Sequence, residues 1–310
     1  MEVNASKKPE KYAKIKDMNK FGYYFIAPFF LVFIIFNLYP TLNTIYLSFY
    51  NIAGFQTEGT FVGLMNYTNL LKNSLFIQAI KNTLVLWTMN FIPQIVISMI
   101  LAYWFTNARL KLKGQTFFKS AFYLPNIITA ASVAVIFYAL FSYPKGPINL
   151  LLINLGIFDG PYDFFRNVGF TRGLVSFIQF WMWYGQTAIV LVSGILSIDA
   201  SLYEAAEVDG ATPWQSFRKI TLPLLKPITL YVLITSLVGG LQMFDIPLLL
   251  TNGGPNGSVE TVMTYIYKQA FQGGRNISIA SAASIYLLLM TIVLSVVIFM
   301  LVRDKKEKKG

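Results

Sequence analysis

Six long apolar runs dominate this sequence, at about 21–48, 82–106, 119–141, 173–196, 224–250 and 277–302. A helix of about 20 apolar residues crosses the ~30 Å hydrocarbon core of a bilayer, and each run is long enough. In lipid every backbone N–H and C=O has to be satisfied within the chain, so such runs must be helical. The expected fold class is therefore an all-α membrane protein with six transmembrane helices. Composition agrees: 13% of the 310 residues are charged and 55% are hydrophobic, against about a quarter charged in a soluble domain. Pro28, Pro40, Pro93, Pro125 and Pro247, with Gly239 and Gly240, predict kinks or irregular turns inside the runs.

The remaining segments are shorter and more polar. Residues 1–20 and 303–310 are basic tails flanking a membrane domain of 21–302. Met1 is followed by a Lys-rich stretch rather than a short apolar segment with a small-residue cleavage site, so the first span is expected to direct insertion itself. The segment 51–81 is amphipathic and suits a membrane surface. The apolar run Ile148 to Phe158 makes a helix of only about 16 Å, too short to cross. With six spans the two termini share a side. Of the 25 Lys and Arg residues, eighteen fall in the tails, the 107–118 loop, Lys119 and the 197–227 loop. The positive-inside rule then places both termini and those loops in the cytoplasm.

Between the fourth and fifth runs lies a polar island, Ser201 to Pro223. Ser201 and Glu204 fit a capping box and predict a helix start. Gly210 can adopt the left-handed conformation that ends a helix. Thr212, Pro213 and Gln215 predict a second capped helix, which Pro223 would stop. Trp214, Phe217 and Ile220 share one side of it, beside Arg218 and Lys219.

Candidate chemistry is narrow. The chain has no cysteine and no histidine, which excludes disulfides, Cys/His metal sites and imidazole catalysis. No G-x-x-x-x-G-K-[ST] phosphate loop is present, so any ATP hydrolysis belongs to another chain. Of 14 acidic residues, Asp245 alone lies deep in an apolar run. It is expected to face a bundle interior, a cavity or a helix break. Two roles fit it: a place on a translocation path or outer gate with Gln242, Phe244, Asn252, Gly253, Gly254 and Pro255, or a helix-breaking carboxylate bonded to backbone amides. Trp181, Trp183 and Tyr184 beside Gln179 and Gln186 combine flat rings with amides, a mix that suits sugars. The same aromatics would also serve as interface anchors. An ion-coupled secondary transporter usually carries several intramembrane ionisable residues, and this chain has about one. An intramembrane enzyme lacks any acid–base or metal constellation here.

The E-A-A of Glu204, Ala205 and Ala206, with Gly210, Ile220, Leu222 and Pro223, resembles the cytoplasmic loop of ABC-importer permeases. FDIPLLLTNGGP (Phe244 to Pro255), FVGLMNYTNLL (Phe61 to Leu71), LPNIITAASVAVIF (Leu124 to Phe137) and GPINLLL (Gly146 to Leu152) resemble segments of the carbohydrate-uptake members. Those members include the lactose, glycerol-3-phosphate and larger maltose permeases; the leading spans and long outer domain of the last are lacking here. The resemblance implies a type I ABC-importer permease fold. It also implies a sugar or oligosaccharide importer in the prokaryotic cell membrane. In it Glu204, Ala205, Ala206, Asp209, Gly210, Ile220, Leu222 and Pro223 would couple to the ATPase. The implied partners are a second homologous permease, two copies of a cytoplasmic ATPase carrying ATP and Mg, and an extracytoplasmic solute-binding protein. No cofactor on this chain and no nucleic-acid partner is implied. A permease for another solute, such as glycerol phosphate, stays open.

Overall fold

In the computed structural model, residues 18–52, 59–107, 113–273 and 275–302 are described. Residues 1–17 of the N-terminal tail, the C-terminal tail, Arg109 and Lys111 lie outside them. The packing divides into a unit ending at Tyr46 and a unit beginning at Leu47. In the first, α1 (Met18–Phe33) passes through a π-helical turn (Ile34–Leu38) into α2 (Tyr39–Ser48). Tyr39 N–H bonds to the Ile34 carbonyl, five residues back. This is the irregularity expected from Pro40, which has no N–H and whose ring crowds the carbonyl four residues before it.

In the second unit, β1 (Tyr50–Asn51) and β2 (Thr60–Phe61) pair antiparallel. The short helix α3 (Met65–Lys72) then leads to α4 (Ser74–Thr106). That helix begins before the expected residue 82 because Asn73 caps it, Oδ1 accepting from the N–H groups of Leu75 and Phe76. The run expected as one span over 119–141 is instead α5 (Gln115–Ile127) and α6 (Ala130–Phe141), bent by 89°. Pro125 removes a helical donor, Ile128 is extended, and Thr129 restarts the helix by accepting from Ser132 N–H.

The short helix α7 (Pro147–Asn154) precedes α8 (Val168–Leu196), which Asn167 caps ahead of the expected residue 173. The run over 224–250 is α12 (Lys226–Leu241) and α13 (Asp245–Thr251), interrupted at Gln242–Phe244. Finally come α14 (Val262–Phe271) and α15 (Ile277–Val302). Five helical stretches of the described residues are long and apolar enough to cross a membrane, or six if the bent pair counts as one.

α4 and α8 lie side by side and run the same way. Ser176 Oγ donates to the Leu86 carbonyl at 3.5 Å, Gln94 Nε2 to Thr187 Oγ1 at 2.8 Å and Ser98 Oγ to the Tyr184 carbonyl at 2.7 Å. α12 runs against them, since Leu225 and Val232 pack with Leu101, Phe105 and Ile195 while Leu237 and Leu241 pack with Phe76 and Ala79. α6 and α13 close over the α8 side through Val133, Ala134, Ile246 and Leu250. α5 approaches α8 so closely that a Cβ on Gly185 would lie 1.8 Å from the Phe122 carbonyl oxygen.

A side chain at Gly185 can be accommodated only by moving backbone. Gly185→Leu is expected to cost about 3 kcal/mol or more, seen as loss of monodisperse protein on size-exclusion chromatography of detergent extracts. Gly239→Ala, where a Cβ meets nothing within 4 Å, should extract normally. A Gly185→Leu protein with the wild-type melting temperature would contradict this packing.

Candidate functional site

The polar island forms a helical hairpin at the end of the bundle where α4 and α8 finish. Its first helix, α9 (Ala200–Val208), is capped by Asp199 and not by Ser201. Asp199 Oδ1 accepts from Ser201 N–H at 2.9 Å. Ser201 is thus the second helical residue and Glu204 the fifth, so the expected Ser201–Glu204 capping box does not form. The carboxylate that precedes Ser201 takes the free N–H first, and this bond holds the Asp199 carboxyl below the usual carboxylate range.

The helix ends as its glycine predicts. Gly210 sits at φ +78°, its N–H bonded to the Glu207 carbonyl and that of Ala211 to the Ala206 carbonyl. These are the two bonds of a Schellman turn. A Cβ at Gly210 would meet nothing within 4 Å, so backbone conformation, not crowding, requires glycine.

Thr212 opens α10 (Pro213–Ser216) with a complete capping box: Thr212 N–H bonds to Gln215 Oε1 and Gln215 N–H to Thr212 Oγ1. A π-helical turn (Phe217–Thr221) and α11 (Leu222–Leu224) follow. Pro223 does not stop the helix. The π-helical turn runs straight into α11, with Leu222 N–H bonded to the Phe217 carbonyl five residues back, and so accommodates Pro223 as the turn before Pro40 does; the break falls at Leu225.

Tyr203 and Thr221 hydroxyls meet at 2.8 Å and tie the two arms together. Phe217 is buried edge-on against Tyr103 of α4 at 4.8 Å and stacks with Trp214. A cavity of about 420 Å³ lies between the hairpin and the ends of α4 and α8, lined by Glu204, Tyr203, Asn107 and Ile195 among others. The outer surface carries Ala205, Asp209 and Pro223, exposed, with Val208 at 88% and Trp214 at 60% exposure. Ala206, Ile220 and Leu222 are half-buried.

A second recess of about 150 Å³ lies within the long helices. Gln186 lines it with Asn90, Gln94, Gln179, Trp183, Tyr231, Thr235 and Gly239. Trp181 does not: it packs edge-on against Phe137 at 6.1 Å, on the core side of α8. Trp183, about half exposed, and Gln179, partly buried, line the recess and carry the ring-and-amide pattern that Trp181 was expected to share.

The Gln242–Pro255 stretch is a shaped turn. Gln242 is exposed after α12, and Phe244 packs edge-on to Tyr267 at 5.1 Å. Asp245 is exposed as the first residue of α13, favourable for that helix dipole, and among the described residues its carboxylate makes no hydrogen bond. Its expected bonding to backbone amides is therefore not found. Asn252 and Gly253 are left-handed, and Gly253 N–H bonds to the Pro247 carbonyl. Thr251 Oγ1 donates to the Gly254 carbonyl.

Lys268 Nζ holds the turn, 2.9 Å from both the Asn252 carbonyl and Glu260 Oε2. Beyond Pro255, Arg172 donates to the Ser258 carbonyl and Asn82 Oδ1, while Asn82 Nδ2 reaches the Gly257 and Glu260 carbonyls. Arg172, Asn82, Lys268 and Glu260 escaped the sequence reading, which treated the charges only as loop residues. For Asn82 and Arg172 the available signal was their position at span edges; Glu260 and Lys268 lie inside the 251–276 loop and gave none.

Residues 59–307 match the family of binding-protein-dependent transport system inner membrane components. The chain is 32% identical to the lactose transport system permease protein LacF of Rhizobium radiobacter, over 92% of this chain and 95% of that protein. It is 34% identical to the arabinooligosaccharides transport system permease protein AraP of Bacillus subtilis, over 89% and 86%. A bacterial ABC transporter involved in import of the acidic polysaccharide alginate has a chain of the same fold, with a TM-score of 0.78 and 28% identity over 93% of this chain and 96% of that one. A second structure of an alginate transporter, bound to a pentasaccharide-loaded periplasmic protein, gives 0.76 and 26% over 94% and 97%.

The Asp199 cap predicts a pH response. Because its folded pKa is lowered, its contribution to α9 is present above the unfolded value of about 3.9 and is lost as pH falls through the folded one. Amide exchange in 200–208, corrected for intrinsic rates, should therefore accelerate below about pH 4. Asp199→Asn keeps the acceptor and should flatten that dependence; an unchanged pH profile would remove Asp199 as the cap.

Proposed function

This chain belongs to the family of binding-protein-dependent transport system inner membrane components, and from that membership we propose its place in the importer. It is a transport permease and not itself an enzyme. It forms half of a pore with a second homologous permease. Two ATPase subunits below bind ATP and Mg, and a solute-binding protein delivers a sugar or oligosaccharide from the other side. The spans are the six stretches read from sequence, the bent α5–α6 pair being the third. Both tails, 1–20 and 303–310, then lie in the cytoplasm of a prokaryotic cell.

The observation that carries the reading is the Ala200–Leu224 hairpin. A solvated loop has no reason to fix its turn so firmly while leaving Val208 and Trp214 uncovered. A protein partner seated on that surface accounts for both features. Glu204 to Pro223 would then transmit ATPase closure. The Gln186 recess and the Gln242–Pro255 turn would lie along the solute path, the turn at its outer end.

Gly210→Leu forces a side chain into a left-handed residue at about 1–2 kcal/mol of strain. It is expected to leave the complex assembled but to uncouple ATP hydrolysis from sugar uptake in proteoliposomes. Normal uptake would defeat the coupling role, as would crosslinkers at Ala205 and Ala206 that never capture an ATPase. Asp245→Ala should slow uptake or lower complex yield; if neither moves, Asp245 leaves the path.

A further inference from the structure

Trp87 of α4 seats its ring in a notch of α12. A Cβ on Gly240 would lie 2.1 Å from Trp87 Cδ1 and 3.0 Å from its Nε1, so the missing side chain is what admits the indole. Phe91, one turn along α4, stacks on the ring at 5.2 Å, and the pair joins the apolar packing around Leu237 and Leu241 of α12. Within it the indole N–H is buried and has no hydrogen-bond partner among the described residues. Ser258 Oγ shares that condition, but a hydroxyl can turn to find a partner. An indole N–H is fixed by its ring and can only donate.

Acceptors stand close by. α12 ends at Leu241, and Met243 N–H bonds to the Gly240 carbonyl, passing over the Gly239 carbonyl four residues back. Carbonyls of a last helical turn have no N–H of their own helix to take. The two adjacent glycines, which favour bending, lie between this turn and the rest of α12. A buried donor without an acceptor raises the free energy of the arrangement that contains it, and of no other. A shift of α12 at Gly239–Gly240 that brings a last-turn carbonyl onto Trp87 Nε1 removes that cost.

We infer that Trp87 is a positioning residue for transport. Its N–H lacks an acceptor in the arrangement described here and gains one from the last turn of α12 in the alternate arrangement, so it biases α12 towards that state. The inference rests on the reading of the chain as a permease whose hairpin moves α12.

The test uses the full-length chain with cysteine-free partner permease and ATPase in nanodiscs. The chain has no cysteine of its own, so Leu75→Cys and Leu224→Cys, at sites 62% and 49% exposed, take spin labels that report α12 against α4. Pulsed EPR distances are recorded with and without a non-hydrolysable ATP analogue. Trp87 is replaced by 3-benzothienylalanine, which keeps the bicyclic ring and puts sulfur in place of N–H. The ratio of the two distance populations should move about fivefold, the scale of one hydrogen bond, towards the distance of this structure. Sugar uptake should fall with it, while the melting temperature of the complex should not drop. Trp87→Phe, which also lacks the N–H, should move the ratio the same way. An unchanged ratio, or a shift the other way, would overturn the role of the N–H and leave the permease reading standing. A single distance, unmoved by nucleotide in the unsubstituted protein, would overturn the moving-hairpin reading itself.

Discussion

Everything in the second unit is referred to the pairing of α4 with α8. Between two helices in hydrocarbon, burial of apolar side chains gains little over contact with lipid, so close packing and polar contacts must hold them. Gln94 supplies one fixed point, donating to Thr187 of α8 and Ser236 of α12 at 2.8 and 3.3 Å. Arg172 supplies the other, reaching Asn82 on α4 and the Ser258 carbonyl ahead of α14. Along α4 the two points are roughly 18 Å apart. Pinned at both, the pair cannot slide or roll without breaking buried hydrogen bonds.

That pairing decides what the hairpin can move. α8 runs into it at Ser197 and α12 leaves it at Leu225, while Phe217 presses on Tyr103 near the end of α4. Those three helices are also the ones whose side chains line the neutral recess. A displacement of the hairpin therefore reaches the recess through covalent continuity on two sides and an aromatic contact on the third. The Schellman turn at Gly210 and the Thr212–Gln215 box keep the hairpin from absorbing the displacement itself.

The sequence foretold features governed by local chemistry. Gly210 ends α9, Thr212 and Gln215 cap α10, and Pro40 distorts the first apolar run, because each effect depends on neighbours within a turn of helix. It failed where two local signals competed. Asp199 and Ser201 could both cap, and only the path of the chain leaving α8 decides between them. Pro125 and Thr129 both lay inside an apolar run, but hydrophobicity alone cannot register an 89° bend between them. Trp181 and Gln186 looked equivalent, yet their angular positions on α8 send one to the core and the other to the recess. The Arg172–Asn82 contact joins residues 90 apart in the chain, which no periodicity could have revealed; Lys268 and Glu260 are eight apart, but Glu260 lies ahead of α14 and Lys268 within it, so helical spacing does not pair them.

The basic side chains beside the turn after α13 raise a last question of charge. Arg172 and Lys268 could have made this an anion conduit, since both stand beside the turn that follows α13. The turn consumes them instead: carbonyls of Asn252 and Ser258, the Asn82 amide oxygen and the Glu260 carboxylate take up their donors. A cation so satisfied exerts little pull on a passing solute, since its field is met by fixed dipoles and, for Lys268, by a full negative charge at 2.9 Å.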